Sequence, residues 1–293
     1  NMTGSNVTKA IIPVAGLGTR MLPASKAVPK ELLPILNKPI IQYVVEEAIE
    51  AGIKEIIFVT NSNKEAIENH FDSNFYLEKS LEKSKKKKLL NTIKNIIPKK
   101  IIIASIRQNE PLGLGDAIFC ANKFINNEPF AVLLPDEFLY CNNVLSDLKK
   151  MIGNFKQTKD SQILVEKISS RNSKNYGIVD ISKSKEIYNS KKIIKLIEKP
   201  KSIKARFSYR IIGRYVLSPK IMQYLGVAKP TKDGEIQLTD SLQKMSEENS
   251  NLRATISSSK VYDCGSLKGL LGANIALASK DPKMKKYIKE ILN

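Results

Sequence analysis

Two short apolar runs, residues 9–14 (KAIIPV) and 55–60 (EIIFVT), flank a stretch at 39–51 (PIIQYVVEEAIEA) where Ile40, Ile41, Val44, Val45, Ala48 and Ile49 recur at helical spacing. Pro39 suits a first helical turn and Gly52 lies just past the end. Strand, helix and strand in that order predict a right-handed crossover between parallel neighbours. The pattern returns with an apolar strand at 101–106 (IIIASI), a helix at 116–125 and a strand at 130–134 (FAVLL). Strands apolar throughout imply burial on both faces, so the expected class is α/β with a doubly wound sheet.

The second half changes character. Strand-like runs at 162–168, 176–181, 193–198 and 210–217 follow closely with turn signals between them, which predicts a small antiparallel or mixed extension that carries a substrate. Helical patterns resume at 236–248, 267–279 and 282–292. No repeat of 20 to 50 residues and no Gly/Ser or Pro-rich linker divides the chain, so the expectation is one domain over residues 9–292 behind a flexible N-terminus at 1–8.

No apolar run is long enough to span a bilayer, and residues 1–6 lack the basic, apolar, small-residue order of a signal peptide. Cys120, Cys141 and Cys264 have neither zinc-site spacing nor an even count, which fits a reducing, cytoplasmic setting. The formal charge of +19 invites a nucleic-acid reading, but 41 of the 48 basic residues are lysine and 7 arginine. Readers of bases and phosphates favour the bidentate guanidinium. The densest run, residues 83–88 (KSKKKK), has no interleaved aromatics on which bases could stack. The excess therefore reads as solvated surface, or as a field that draws in phosphorylated small molecules, with neither nucleic acid nor membrane as partner.

The segment AGLGTRMLP at 15–23, followed by Lys26 and Lys30, sits where the first strand ends, the place where open α/β sheets bind ligands. Glycines there let backbone N–H groups approach phosphate oxygens, and Arg20, Lys26 and Lys30 supply charge. It is not a dinucleotide fingerprint, because Met21 occupies the third glycine position, and no GK[ST] follows to make a P-loop. Asp136, just past the strand at 130–134, is placed to hold Mg²⁺, which keeps few protein ligands and shares the rest with phosphates and water. Asp263 is a candidate second ligand, although an Asp after a strand is as often a turn or helix cap. Glu198-Lys199 reads as an acceptor for sugar hydroxyls beside a phosphate partner, or as a surface ion pair ahead of Pro200. Gln108 could offer an amide to a base edge, and Gly113-Leu114-Gly115-Asp116 opens a helix with room for a nucleoside. His70 is the only histidine and reads as structural, so neither a Ser-His-Asp triad nor covalent chemistry stands out. A reaction driven by positioning and charge neutralisation, such as nucleotidyl transfer, fits that absence.

The glycine loop through AGLGTRMLPASKAVPKELLPI, together with PIIQYVVEEAIEAGI, ENHFD, LLPDE, YGIVD, IEKP, IGRYVLS, GEIQLTD and YDCG, strongly resembles the bacterial UTP:glucose-1-phosphate uridylyltransferases among the sugar nucleotidyltransferases. The resemblance implies a Rossmann-like nucleotidyltransferase fold with a mixed, mostly parallel sheet. It implies nucleotide binding within about 9–140, sugar-phosphate binding within about 160–265, and C-terminal helices over about 266–292. The implied reaction joins UTP and glucose 1-phosphate into UDP-glucose and pyrophosphate with Mg²⁺; a related enzyme using dTTP or another sugar phosphate is the nearest alternative. Carried over by motif, Ala15 and Gly16, with Gly18 and Thr19, Gln108 and Gly113, hold the nucleotide. Arg20 and Lys30 face the triphosphate as catalytic groups, Asp136 and Asp263 ligate the metal, and Gly177, Glu198 and Lys199 hold the glucosyl phosphate. A homodimer or homotetramer is implied as well. Two departures lie near the expected nucleoside: Asn109 stands where a glycine often follows the glutamine, and Asp116 where histidine is common.

Overall fold

The computed structural model describes residues 6–141, 146–168, 176–181, 185–200, 209–248 and 251–292; most of the expected flexible terminus, residues 1–5, lies outside them. The elements run β1 (Lys9–Pro13), β2 (Pro34–Ile35), β3 (Lys38–Pro39), α1 (Ile40–Glu50), β4 (Glu55–Thr60), α2 (Glu65–Phe71), α3 (Phe75–Lys83), α4 (Lys87–Lys94), β5 (Ile102–Arg107), α5 (Gly113–Cys120) and α6 (Asn122–Ile125). They continue with β6 (Phe130–Leu133), β7 (Glu137–Tyr140), α7 (Asp147–Thr158), β8 (Ser161–Lys167), β9 (Ile178–Asp180), β10 (Glu186–Ile187), β11 (Ser190–Lys192), β12 (Lys195–Ile197) and β13 (Tyr209–Leu217). The last are α8 (Ile221–Gly226), α9 (Leu238–Glu247), β14 (Leu252–Ile256), β15 (Lys260–Asp263), α10 (Leu267–Ala278) and α11 (Pro282–Leu292).

Strand β1 lies between β4 and β6, parallel to both, with Ile11 opposite Ile57 and Val132. Alternation along β1 divides the core, as the two-residue period of a strand requires. Ile11 packs with Ile118, Leu225 and Leu242 from α5, α8 and α9 on one face. Ala10 and Ile12 pack with Val44, Ala48 and Met151 from α1 and α7 on the other. Helix α1 buries Ile40, Ile41, Val44, Val45 and Ala48, and it stops at Ala51 before Gly52 at φ 102°. A third cluster, around Ile35, Ile40, Phe138, Cys264 and Ala273, seats α10.

The main sheet runs β10-β11-β14-β8-β13-β6-β1-β4-β5, with β9 joining β13 and β12 joining β9. It is a mixed sheet of parallel strands flanked by helices, in accord with the expected class. Three features differ from the sequence reading. Strand β13 is central, antiparallel to both β6 and β8, and buried along nearly its whole length. Strand β5 is an edge, so its apolar run is covered on one side only and Ile102 stays 62% exposed. The run at 193–198 is not one strand: β11 pairs with β14, β12 with β9, and the chain changes partner at Ile193 and Ile194. The lysine run spans the end of α3 and the start of α4 and is exposed throughout.

Candidate active site

Past β1 the chain forms three short 3₁₀ turns, at Thr19–Met21, Ala24–Lys26 and Lys30–Leu32. Gly18 caps the first at φ 68°, a conformation that side-chain-bearing residues rarely take, and the Lys30 stem lies against it. The third turn is pinned by a buried ion pair: Lys64 Nζ lies 2.8 Å from Oε2 of Glu31, the residue after Lys30. On the other side of the loop, Asn61 Nδ2 donates to the Ala15 carbonyl at 2.7 Å.

Asp136 lies between β6 and β7, and Asp263 ends β15, which pairs with β7 so that Asp263 stands opposite Glu137. The Cys264 N–H donates to the Asp136 carbonyl at 2.7 Å and ties the two acidic loops together. Lys30 Nζ lies 2.6 Å from Asp136 Oδ2, Arg20 Nη1 2.8 Å from Asp263 Oδ2, and Arg20 Nη2 3.8 Å from Asp136 Oδ2. Burial alone would raise the Asp136 carboxyl, but the charge and hydrogen bond of Lys30 outweigh it and hold the group below the usual carboxylate range. Glu137 goes the other way, because its burial outweighs the attraction of Arg210.

Both carboxylates converge in front of Gly265. A Cβ there would lie 2.8 Å from Asp136 Oδ2, 3.0 Å from Asp263 Oδ1 and 2.7 Å from Arg20 Nη2, so only glycine leaves that space open. Among the described residues no group of three or more His, Cys, Asp or Glu is arranged so that it could hold a metal ion by itself. Two carboxylates in an open cradle suit a hard divalent cation that completes its shell with phosphate oxygens and water.

Two cavities meet here. One, of about 430 Å³, is lined by Ala15, Gly16, Gly18, Thr19, Lys30, Gln108, Gly113 and Asp136. The other, of about 760 Å³, is lined by Arg20, Asp136, Gly177, Glu198, Lys199 and Asp263. Every residue that the resemblance assigns to nucleotide, sugar phosphate or metal thus lies on a wall of one or both, and Asp136 is common to the two, whereas Lys26 and Asp116 line neither. In the larger cavity Thr239 Oγ1 donates to Glu198 Oε2 at 2.7 Å, and a Cβ on Gly177 would fall 3.1 Å from that same oxygen. Glu198 and Lys199 are neighbours in the chain, and their charged ends lie 3.8 Å apart.

Sequence reasoning missed the supports behind these groups. The Arg214 guanidinium, wholly buried, donates to the carbonyls of Leu134 and Glu137 on either side of Asp136, and Glu47 holds it through both carboxylate oxygens. Glu137 accepts from the Gly213 N–H and from Arg210, which also pairs with Glu166 at 2.5 Å. Arg214 and Thr239 lie within the quoted stretches IGRYVLS and GEIQLTD, but nothing in those strings says which partners they meet.

A nucleotidyl transferase family model matches residues 9–280. A UTP–glucose-1-phosphate uridylyltransferase of Haemophilus ducreyi is 42% identical over 291 residues, 97% of this chain and 98% of that protein. The chain belongs to this family. The UTP-bound UGPase of Acinetobacter baumannii superposes with a TM-score of 0.90 at 41% identity, covering 98% of this chain and 99% of that one. A UDP-glucose pyrophosphorylase complexed with UDP-glucose superposes at 0.84 with 36% identity, covering 94% and 100%. Among the described residues of this uridylyltransferase-family chain, no helix is long and apolar enough to cross a membrane.

Proposed function

We propose that the chain transfers a uridylyl group from UTP to glucose 1-phosphate, releasing pyrophosphate and UDP-glucose. The observation that carries this reading is the sharing of Asp136 by two cavities: one edged by backbone and glycines, the other furnished with Glu198 and Lys199. A nucleoside triphosphate in the first and a sugar phosphate in the second would meet at that carboxylate. The family membership, and relatives named for UTP and for UDP-glucose, support the choice of substrates.

In the proposed site Ala15, Gly16, Gln108 and Gly113 bound the base and nucleoside, with Gly18 and Thr19 presenting backbone to the phosphates. Glu198, held by Thr239, accepts from glucose hydroxyls, while Gly177 leaves room for the ring and Lys199 neutralises the sugar phosphate. A phosphate oxygen of glucose 1-phosphate attacks the α-phosphorus of UTP; the new P–O bond forms as the bond to the β-phosphate oxygen breaks in line with it. Arg20 and Lys30 offset the repulsion among the ionised oxygens and receive the charge that moves onto the leaving pyrophosphate. Asp136 and Asp263 would hold Mg²⁺, which when bound spreads phosphate charge and orients the oxygens. The nucleotide part at about 9–140, the sugar-phosphate part at about 160–265, assembly as a homodimer or homotetramer and a cytoplasmic setting belong to the same reading.

Pyrophosphate release across a panel of UTP, dTTP, GTP and CTP against several sugar 1-phosphates tests it. UTP with glucose 1-phosphate should be turned over fastest. Preference for dTTP, or for another sugar phosphate, would sink the substrate assignment.

A further inference from the structure

Gln108 follows β5 and lines the smaller cavity. Its Nε2 donates to Asp116 Oδ2 at 2.8 Å and to the Gly113 carbonyl at 3.1 Å. Both partners are acceptors with no proton to give. A side-chain amide can present its nitrogen or its oxygen by turning over, but here the turned form would set Oε1 against two other oxygens. Both N–H groups are therefore committed, and Oε1 is left with no hydrogen bond among the described residues.

That polarity matters to a pyrimidine. Along its 3,4 edge uracil shows an N3–H donor beside an O4 acceptor, whereas cytosine shows a bare N3 beside an amino donor. In one placement of the base, a fixed amide oxygen accepts the N3–H of uracil and meets a lone pair at N3 of cytosine. A turned amide reverses the preference. We propose that Asp116 is a specificity-determining positioning residue, whose carboxylate locks the Gln108 amide with Oε1 toward the base so that N3–H pyrimidines are selected over cytosine. The inference rests on the smaller cavity being the uridine nucleotide pocket. Asp116 acts through Gln108 and touches no reacting atom. Because the lock reads only the N3 edge, it treats uracil and thymine alike.

Calorimetric titration with UTP, CTP and dTTP, alongside kcat/KM for each, tests the lock in Asp116→Asn, an isostere that offers both a donor and an acceptor. The affinity ratio of UTP to CTP should fall about fivefold, while the ratio of UTP to dTTP stays put. Asp116→Ala should shift the same ratio in the same direction, and melting temperatures show whether either variant is damaged. An equal loss for UTP and CTP makes Asp116 merely structural and overturns the proposal. Gln108→Ala separates the two levels of argument. If it weakens UTP binding while Asp116→Asn keeps its UTP to CTP ratio, the lock fails and the pocket assignment stands. If it leaves UTP binding untouched, the base does not lie against Gln108, and pocket and lock fall together.

Discussion

Lys30 and Thr239 separate two duties, one toward each substrate of the proposed reaction. Lys30, on a turn fixed by the buried Glu31–Lys64 pair, faces Asp136 at the junction of the cavities, so under the proposed reaction its charge counts most where pyrophosphate would depart. Lys30→Ala should lower kcat by about 10² or more, a loss of roughly 2.7 kcal/mol of transition-state stabilisation. An unaltered kcat under saturating substrates would remove it from the chemistry. Thr239 instead holds Glu198 still. Thr239→Val keeps the shape and deletes the donor, so KM for glucose 1-phosphate should rise about fivefold with far less change in KM for UTP; steady-state kinetics with each substrate varied in turn decides it. The groups expected to meet substrate were legible because strand ends and glycine turns put them at one sheet edge. Thr239 was not, because a hydroxyl partner 41 residues from its carboxylate leaves no mark in spacing.

At the scale of elements, the loop between β6 and β7 is held from behind by β13 and α1. Arg214 grips the carbonyls on both sides of Asp136, and Glu47 satisfies the guanidinium. Removing one partner of a buried pair leaves the other charge stranded, which costs about 3–5 kcal/mol. Arg214→Met should therefore lower the melting temperature by about 10 °C, as read by calorimetry. A second effect joins α2 to α1, where His70 Nε2 lies 3.0 Å from Gln42 Oε1. Burial pushes the imidazole below its ordinary value. The unfolded chain therefore takes up a proton near pH 6.5 that the folded protein still refuses, so this group costs stability as pH falls through that value. His70→Gln should flatten the fall in melting temperature between about pH 7 and pH 5 relative to the parent; parallel curves for the two proteins would contradict it. Apolar periodicity gave β1, α1, β4 and β6 closely, because the three strands are covered on both sides and α1 buries a single apolar face. It misjudged β5 and the run at 193–198 because edge position and a change of pairing partner belong to the sheet, not to the strand. Arg214 sits in a strand that reads as apolar, and its reason for being there is a partner 167 residues away.

Over the whole molecule the formal charge of +19 acts on two anionic substrates. Long-range attraction reaches about 30 Å at 0.01 M salt and about 10 Å at 0.1 M, so KM for both substrates should rise across that range. Two sources of field compete to explain the rise. Arg20, Lys30 and Lys199 line the cavities, whereas Lys85 to Lys88 sit on exposed turns of the α3–α4 pair and line neither cavity. Replacing those four with Gln lowers the net charge by four without touching the cleft. If the lysine excess is solvated surface, the substituted protein keeps its KM values and its dependence on salt, because screened charges contribute little beyond a Debye length. A flattened dependence of KM on salt in that variant would show instead that the run steers substrates, and would assign a kinetic role to charge that composition alone reads as surface.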